Sequence, residues 1–381
     1  MKLLIHDLNE REWEKIADKY RGWEIISDNG RIKPCVGCFG CWIKDPGKCV
    51  IRDGYERSGI LLHKAEEITV MSRYTYGGFS SFIKNVFDRS ISVVLPYFEK
   101  YDGEMHHKAR YHGNIPIRFI FRGTGLTAED KEKAGSFVRA VCRNLRAEIA
   151  DISFEECDAP VVEKVTAVRN VKSNKVILLN CSMRGNRANS KKFLDILSRN
   201  ISSETESVGI SEYNDRMDEL TDILAAAPKI VLGTPLYVDG IPSQLLRVME
   251  KLEKYEHSGD KTFYAVANMG FYESAQIKNL LSMVRSWCDK CGFRYGGGLA
   301  IGAGEMIGSG NLSEIPNGPA KNMLSGLEKI GRAVDASEVT EDIYADAYRF
   351  PRAFYITAAN LSWPADAKKN GLKRNDLLRQ Y

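Results

Sequence analysis

Two stretches of this chain can be laid on each other without a gap, and that repeat limits the fold more than any other feature. With Ser72 set on Thr234, Gly78 meets Gly240, Ser81 meets Ser243, Ile83 meets Leu245 and Val86 meets Val248. Each stretch starts as an apolar strand, crosses a short turn and enters a helical pattern. The flanking elements recur in the same order. The first half reads as strands at Leu3 to Ile5, Trp23 to Ile26, Ile68 to Ser72, Ile117 to Phe121 and Glu148 to Phe154. Helices are expected at Glu10 to Tyr20, up to Ala65 and at Phe82 to Arg89. Thr127 reads as a helix cap with Asp130 three residues on. Ala134, Phe137, Val138, Val141 and Leu145 then share one helix face. The second half reads as strands at Val176 to Leu179, near Val208, and at Ile230 to Gly233, Phe263 to Ala267 and Leu299 to Ile301, with helices starting near Asn189, Asp215, Pro242 and Glu273.

Strand and helix alternating in this way imply parallel strands with crossover helices. The chain therefore reads as a divergent tandem duplication of an α/β unit. The expected boundaries are 1–156 for the first unit, 157–174 for a polar linker, 175–335 for the second unit and 336–381 for a helical tail packed on the body. Residues Ser92 to Asn114 read as an irregular insertion.

The halves differ at their first strand. Lys175 to Ser190, KVILLNCSMRGNRANS, reads as a buried strand, a polar loop and the start of a helix. The loop carries Ser182, Arg184, Gly185, Asn186, Arg187, Asn189 and Ser190. Unpaired backbone N–H groups at a helix start favour an anion, and two arginines add charge-assisted donors. The pattern is neither G-x-x-x-x-G-K-[ST] nor G-x-G-x-x-G, so neither a nucleotide-hydrolase loop nor that type of dinucleotide site is expected. The first half passes from Ile5 almost directly into a helix and lacks this loop.

The totals exclude several classes. A net charge of +4 over 381 residues, with no Lys/Arg block, does not call for nucleic acid. No apolar run approaches a membrane span, and MKLLIHDLNE gains charge too quickly for a signal peptide. The nine cysteines are an odd count, and four crowd into one loop. That pattern suits a reducing, cytoplasmic setting and a metal or redox site better than a disulfide framework. Cys35, Cys38 and Cys41 follow one another with two residues between neighbours, and Cys49 follows after Asp45-Pro46-Gly47, a turn that can swing it back. Four cysteines in one compact loop suit a 4Fe-4S cluster. Zinc and uncoordinated structural thiols are the alternatives.

The motifs together resemble a family. NCSMRGNRANS, GTPLYVDGIPSQL, ANMGFYESAQ and YGGGLAIGAGEM stand in the order seen in flavodoxin-like NAD(P)H-dependent flavin mononucleotide (FMN) reductases. The first half, through CVGCFGCWIKDPGKCVIRD and SRYTYGGFSSFIKNVFDRS, resembles the iron–sulfur flavoproteins of the same family. The resemblance implies two flavodoxin-like open parallel sheets with helices on both faces. It implies FMN as cofactor, NAD(P)H as electron donor, and a small acceptor such as a quinone, a flavin or a nitroaromatic. Ser182, Asn189 and Ser190 would then hold the FMN phosphate, with Arg184 and Asn186 in the same loop. Thr234, Pro235, Leu236, Tyr237, Val238, Asp239 and Gly240 would line the isoalloxazine, and Asn268, Met269, Gly270 and Tyr272 would cover its other side. A homo-oligomer is implied as well. An electron carrier with a protein redox partner and a cofactor-free scaffold are the rival readings. No catalytic acid or base is named, because hydride transfer through FMN is the cofactor's own chemistry.

Weaker signals have plainer readings. Cys288 and Cys291 continue the apolar face of Ile277, Leu281 and Val284, which suits core packing. His106 and His107 follow Glu104, but adjacent histidines point apart in most backbones, which disfavours a metal. Tyr74 and Tyr76 suit either flavin stacking or an interface. Asp239 suits either the flavin edge or a cap on the helix from Pro242.

Overall fold

The structure is a computed structural model that describes residues 1–113, 115–158, 175–255, 260–309, 311–312, 315 and 317–381. All but two residues of the expected linker, 157–174, lie outside that set. The chain separates into two compact units: Met1–Pro160 together with Ala353–Tyr381, and Val161–Arg352. The tail expected at 336–381 is thus divided between them. Among the described residues no helix is long and apolar enough to cross a membrane.

The first unit contains β1 (Lys2–His6), α1 (Glu10–Glu14), β2 (Glu24–Ser27), α2 (Gly40–Ile43), α3 (Ser58–Lys64), β3 (Glu67–Arg73), α4 (Ser81–Asp88), β4 (Val94–Tyr101), β5 (Glu104–Ala109), β6 (Pro116–Gly123), α5 (Ala128–Leu145) and β7 (Glu148–Glu156). Five strands form a parallel sheet in the order β2-β1-β3-β6-β7. Leu3, Leu4 and Ile5 are wholly buried, the continuous apolar run of a strand covered on both faces. Phe79 anchors the core, stacked on Phe87, Phe119 and Phe121 and edge-on to Phe137. Thr127 caps α5, its hydroxyl accepting from Asp130 N while the Asp130 carboxylate accepts in return, as expected.

Two local expectations are corrected. The helix read from Glu10 to Tyr20 is α1 followed by a separate 3-10 turn at Ala17–Tyr20. The insertion read as irregular contains the antiparallel hairpin β4–β5. Its turn residues, Asp102 (φ 50°) and Gly103 (φ 86°), are left-handed, the conformation that an Asp-Gly hairpin turn requires. Met105, His106 and His107 are buried in it. Residues 353–381 lie against this hairpin and the cysteine loop. Asn360 pairs with the Phe98 backbone in both directions, at 2.7 and 2.9 Å. Trp363 meets Phe39 and Trp42, and Arg110 donates to the carbonyls of Leu377 and Arg379.

The second unit contains β8 (Val176–Asn180), α6 (Asn189–Ser198), β9 (Thr205–Gly209), α7 (Met217–Ala226), β10 (Lys229–Pro235), α8 (Ser243–Leu252), β11 (Thr262–Asn268), α9 (Lys278–Cys291), β12 (Arg294–Ile301), α10 (Gly304–Ile307), α11 (Lys321–Ala336) and β13 (Ile343–Ala345). Helix α12 (Arg352–Lys369) follows and carries the chain back to the first unit. The second sheet is parallel with six strands, β13-β12-β11-β10-β8-β9. β13, which the strand pattern did not reveal, is a three-residue edge strand.

The repeat extends to individual hydrogen bonds. Thr75 and Gly78 exchange N–H···O bonds of 2.9 Å; the aligned Tyr237 and Gly240 exchange bonds of 3.3 and 3.0 Å. The Ser72 hydroxyl donates to Arg73 O and the Thr234 hydroxyl to Pro235 O. Tyr74 N donates to Arg122 O on β6, and Leu236 N to Asn268 O on β11, both at 2.8 Å. The two units are therefore α/β sheets of one design, with their carboxyl edges built alike.

Candidate functional site

In open α/β sheets ligands bind beyond the carboxyl ends of the strands, where the strand order reverses. In the second unit that point lies between β8 and β10. The loop after β8 is shaped from within. The Asn180 amide accepts from Ser182 N at 3.2 Å and donates to Gly185 O at 3.0 Å. The Ser182 hydroxyl accepts from Arg184 N at 3.3 Å. Gly185 takes φ 58°, where a Cβ would be strained. The loop then enters α6 with Ala188 at the N-cap position and no side-chain cap. An alanine there cannot satisfy the first amides of a ten-residue helix, which leaves them open to water or an anion.

Three of the expected residues form one buried chain. Asn268, at the end of β11, donates to the Ser190 hydroxyl at 2.8 Å and to Thr234 O at 3.2 Å. This links the start of α6 to the ends of β10 and β11. Leu236 and Tyr237 are half-buried beyond Thr234 and Pro235. Val238 (φ 36°) and Asp239 (φ 58°) make the turn that Gly240 closes. A β-branched residue at positive φ is a backbone outlier, and such strain concentrates at functional sites. The N-cap position of α8 is Pro242, and Asp239 is buried in the turn just before it.

The opposite wall is the segment Met269 to Tyr272. Met269 N donates to Ile301 O at 3.2 Å, and the Tyr272 hydroxyl donates to Phe350 O. A Cβ at Gly302 would lie 2.2 Å from Tyr272 O, so only glycine lets these backbones approach. Ser274 N donates to Asp346 at 2.7 Å, and Arg352 pairs with Glu273. Asn189 faces Gly308, where a Cβ would fall 2.5 Å from its amide oxygen. Lys192 donates to Gly308 O at 2.6 Å, and Arg184 pairs with Glu305 at 3.2 Å. Asn186 and Arg187 are exposed at the outer side of the loop. Sequence reasoning missed Asn180, Lys192, Glu305, Asp346 and Arg352. Only the glycine run before Glu305 marked that region.

The first unit keeps the edge and fills it with its own groups. His6 Nδ1 accepts from Leu8 N at 3.2 Å, as Asn180 accepts from Ser182. The chain then enters α1, capped by the Asn9 side chain and by Glu12 in return. Asp7, raised above its ordinary pKa by burial and opposed by the Ser80 hydroxyl, accepts from Arg73 N at 2.9 and 3.1 Å. The Tyr74 hydroxyl donates to Asp130 at 2.8 Å, and Tyr76 is buried at the positive-φ turn. Here carboxylates occupy the edge and its helix start, which disfavours a further anion.

In the cysteine loop, Gly37 N–H donates to the Cys35 sulfur, and burial pushes that thiol up to about 12, with Asp88 adding to it. Gly40 N donates to Cys38 Sγ at 3.4 Å. Burial raises Cys41 well above its ordinary value, and Cys35, Cys49 and Cys38 add to that. Arg89 is fully buried. It pairs with Asp53 and donates to Ile51 O and Lys33 O, and its guanidinium also hydrogen-bonds the Cys49 sulfur. Among the described residues no three His, Cys, Asp or Glu side chains are arranged to hold a metal ion. That holds for the expected ligands Cys35, Cys38, Cys41 and Cys49 as it does for His106 and His107. His107 Nδ1 instead sits 3.1 Å from Pro96 O. None of the nine cysteines is in a disulfide, and Cys288 is buried in the core.

No family model matches the chain, and no curated protein does. Among solved structures, a flavone reductase is similar at 13% identity and TM-score 0.34, over 44% of this chain and 66% of that protein. An azoreductase from Bacillus anthracis str. Sterne is similar at 14% identity and TM-score 0.30, over 43% of this chain and 100% of that one. The azoreductase AzrA is similar at 14% identity and TM-score 0.31, over 42% and 99% respectively. Likenesses this slight leave the activity to be argued from the site itself.

Proposed function

We propose that the chain is an FMN-dependent oxidoreductase whose cofactor lies at the carboxyl edge of the second unit. The observation that carries this reading is the uncapped start of α6, reached through the Ser182–Arg184 loop and tied by Asn268 to Thr234. A helix start without a side-chain cap suits a phosphate. Ser182, Arg184, Asn186, Asn189 and Ser190 are placed along that loop. Thr234 to Gly240 would flank one side of the flavin ring, and Asn268, Met269, Gly270 and Tyr272 the other. Bound FMN supplies hydride acceptance from NAD(P)H and onward transfer to a quinone, a flavin or a nitroaromatic. The protein's residues would fix the phosphate and flank the ring on both sides.

A second element of the proposal is a redox centre in the cysteine loop. It is supported by amide donors aimed at Cys35 and Cys38 and by the buried Arg89 guanidinium that hydrogen-bonds Cys49. Cys35, Cys38, Cys41 and Cys49 would hold a 4Fe-4S cluster, which would exchange single electrons. Burial makes Cys35 and Cys41 hard to ionise, and a cationic core would favour their thiolates.

The test is an absorbance spectrum of anaerobically purified protein, with iron and sulfide assays and steady-state NAD(P)H oxidation on the same sample. Flavin bands with NAD(P)H oxidation driven by added quinone are expected. Flavin without turnover would instead favour an electron carrier with a protein partner. A colourless protein that takes up no FMN would overturn the reading in favour of a scaffold.

A further inference from the structure

The pairing of Arg184 with Glu305 has a consequence for how the second unit's site admits its ligand. Arg184 stands on the loop before α6; Glu305 stands on α10. Their charged ends meet at 3.2 Å. The Glu305 Cγ also lies 3.8 Å from where a Cβ would sit on Gly270. The carboxylate thus reaches between the phosphate-side loop and the Met269–Tyr272 wall. Two further ties bring the same segments together: Lys192 to Gly308 O, and Asn189 against Gly308. Near an uncapped helix start, one of the loop's two guanidinium groups is already engaged by an internal anion.

We propose that Glu305 is a latch that competes with the ligand's phosphate for Arg184. The proposal rests on the FMN reading above. When a phosphate arrives, the guanidinium exchanges one oxyanion partner for another, and Glu305 is released toward solvent. No bond is made or broken in the exchange. Both side chains are partly exposed, 34% for Arg184 and 49% for Glu305. Partly exposed ion pairs are weak and screened by salt, so the latch tunes affinity without closing the site. It also acts on phosphate alone: a flavin lacking the phosphate has no need to displace it.

The experiment is a titration of the full apo chain with FMN and, separately, with riboflavin, at low and high salt. The proteins are the wild type, Glu305→Gln, Arg184→Gln and the double variant. Glu305→Gln is expected to tighten FMN about two- to fivefold at low salt, with the gain shrinking at high salt and no gain for riboflavin. In the Arg184→Gln background the Glu305 change should have no effect. An equal gain for riboflavin, a gain that survives in the Arg184→Gln background, or no gain at all would overturn the latch. Failure of the wild type to bind either flavin would overturn the cofactor reading beneath it, a different outcome from the other three.

Discussion

Replacing His6 by Asn should flatten the acid side of the first unit's stability profile. His6 ends β1, stacks on Trp13 with ring centres 4.6 Å apart, and accepts the Leu8 amide at Nδ1. Burial lowers its pKa from 6.5 to about 4. A proton on Nδ1 would remove the acceptor that Leu8 N uses, so the folded unit resists protonation while the unfolded chain does not. Its contribution is therefore fully present above 6.5 and is lost as the pH falls from there toward 4. At about pH 5 the linkage comes to at most about 2 kcal/mol, less whatever water at the ring edge screens. Asn is the informative replacement because the second unit uses Asn180 to accept Ser182 N at the same point of the repeat. Losing the stacked ring costs the variant about 1 kcal/mol at neutral pH. The assay is urea unfolding followed by tryptophan fluorescence. Trp13, Trp23, Trp42 and Trp363 report on the first unit, and Trp287 alone on the second. His107, also kept neutral by burial, is common to both proteins and cancels. Parallel loss of stability in the two proteins between about pH 7.5 and 5 would refute the reasoning.

Three further outcomes are expected. Asn268→Ala leaves the Ser190 hydroxyl and the Thr234 carbonyl without a buried donor, at about 1–3 kcal/mol; thermal unfolding should show the loss, and FMN titration a weaker affinity. Gly302→Ala drives a methyl group into Tyr272 O and displaces the Met269–Tyr272 wall, at about 1–3 kcal/mol. Its lower melting temperature should come with weaker flavin binding, whereas unchanged binding would show that the wall is not part of the site. Cys38→Ser should abolish any iron- and sulfide-dependent absorbance while leaving bound flavin at one per chain, since the first unit's edge is filled by Asp7, Asn9 and Glu12; two flavins per chain would contradict that account.

The polar loop from Ser182 to Ser190 and the turn from Thr234 to Gly240 were legible because they depend on local chemistry: strand end, small polar residues, helix start. The β4–β5 hairpin was legible in principle, since Asp102-Gly103 is a strong turn signal, but buried His106 and His107 hid the alternation. The boundary of the tail was not legible. Residues 337–352 add an edge strand and brace the Tyr272 wall, whereas 353–381 join the first unit. Nothing in their composition distinguishes those two fates.

The sequence by itself determined the class of fold, two parallel α/β sheets from one duplicated design, because hydrophobic period and element order are local properties that survive divergence. It also showed that the second half alone carries a polar loop between its first strand and first helix. The tertiary structure alone decided which groups meet at the edges. Asn268 reaches Ser190 and Thr234, and Glu305 reaches Arg184, only because parallel crossovers bring distant strand ends side by side. The same folding sets the Asp7 carboxyl against Arg73 N at the first unit's edge. Such pairings depend on separation in space, which the order of residues along the chain does not record.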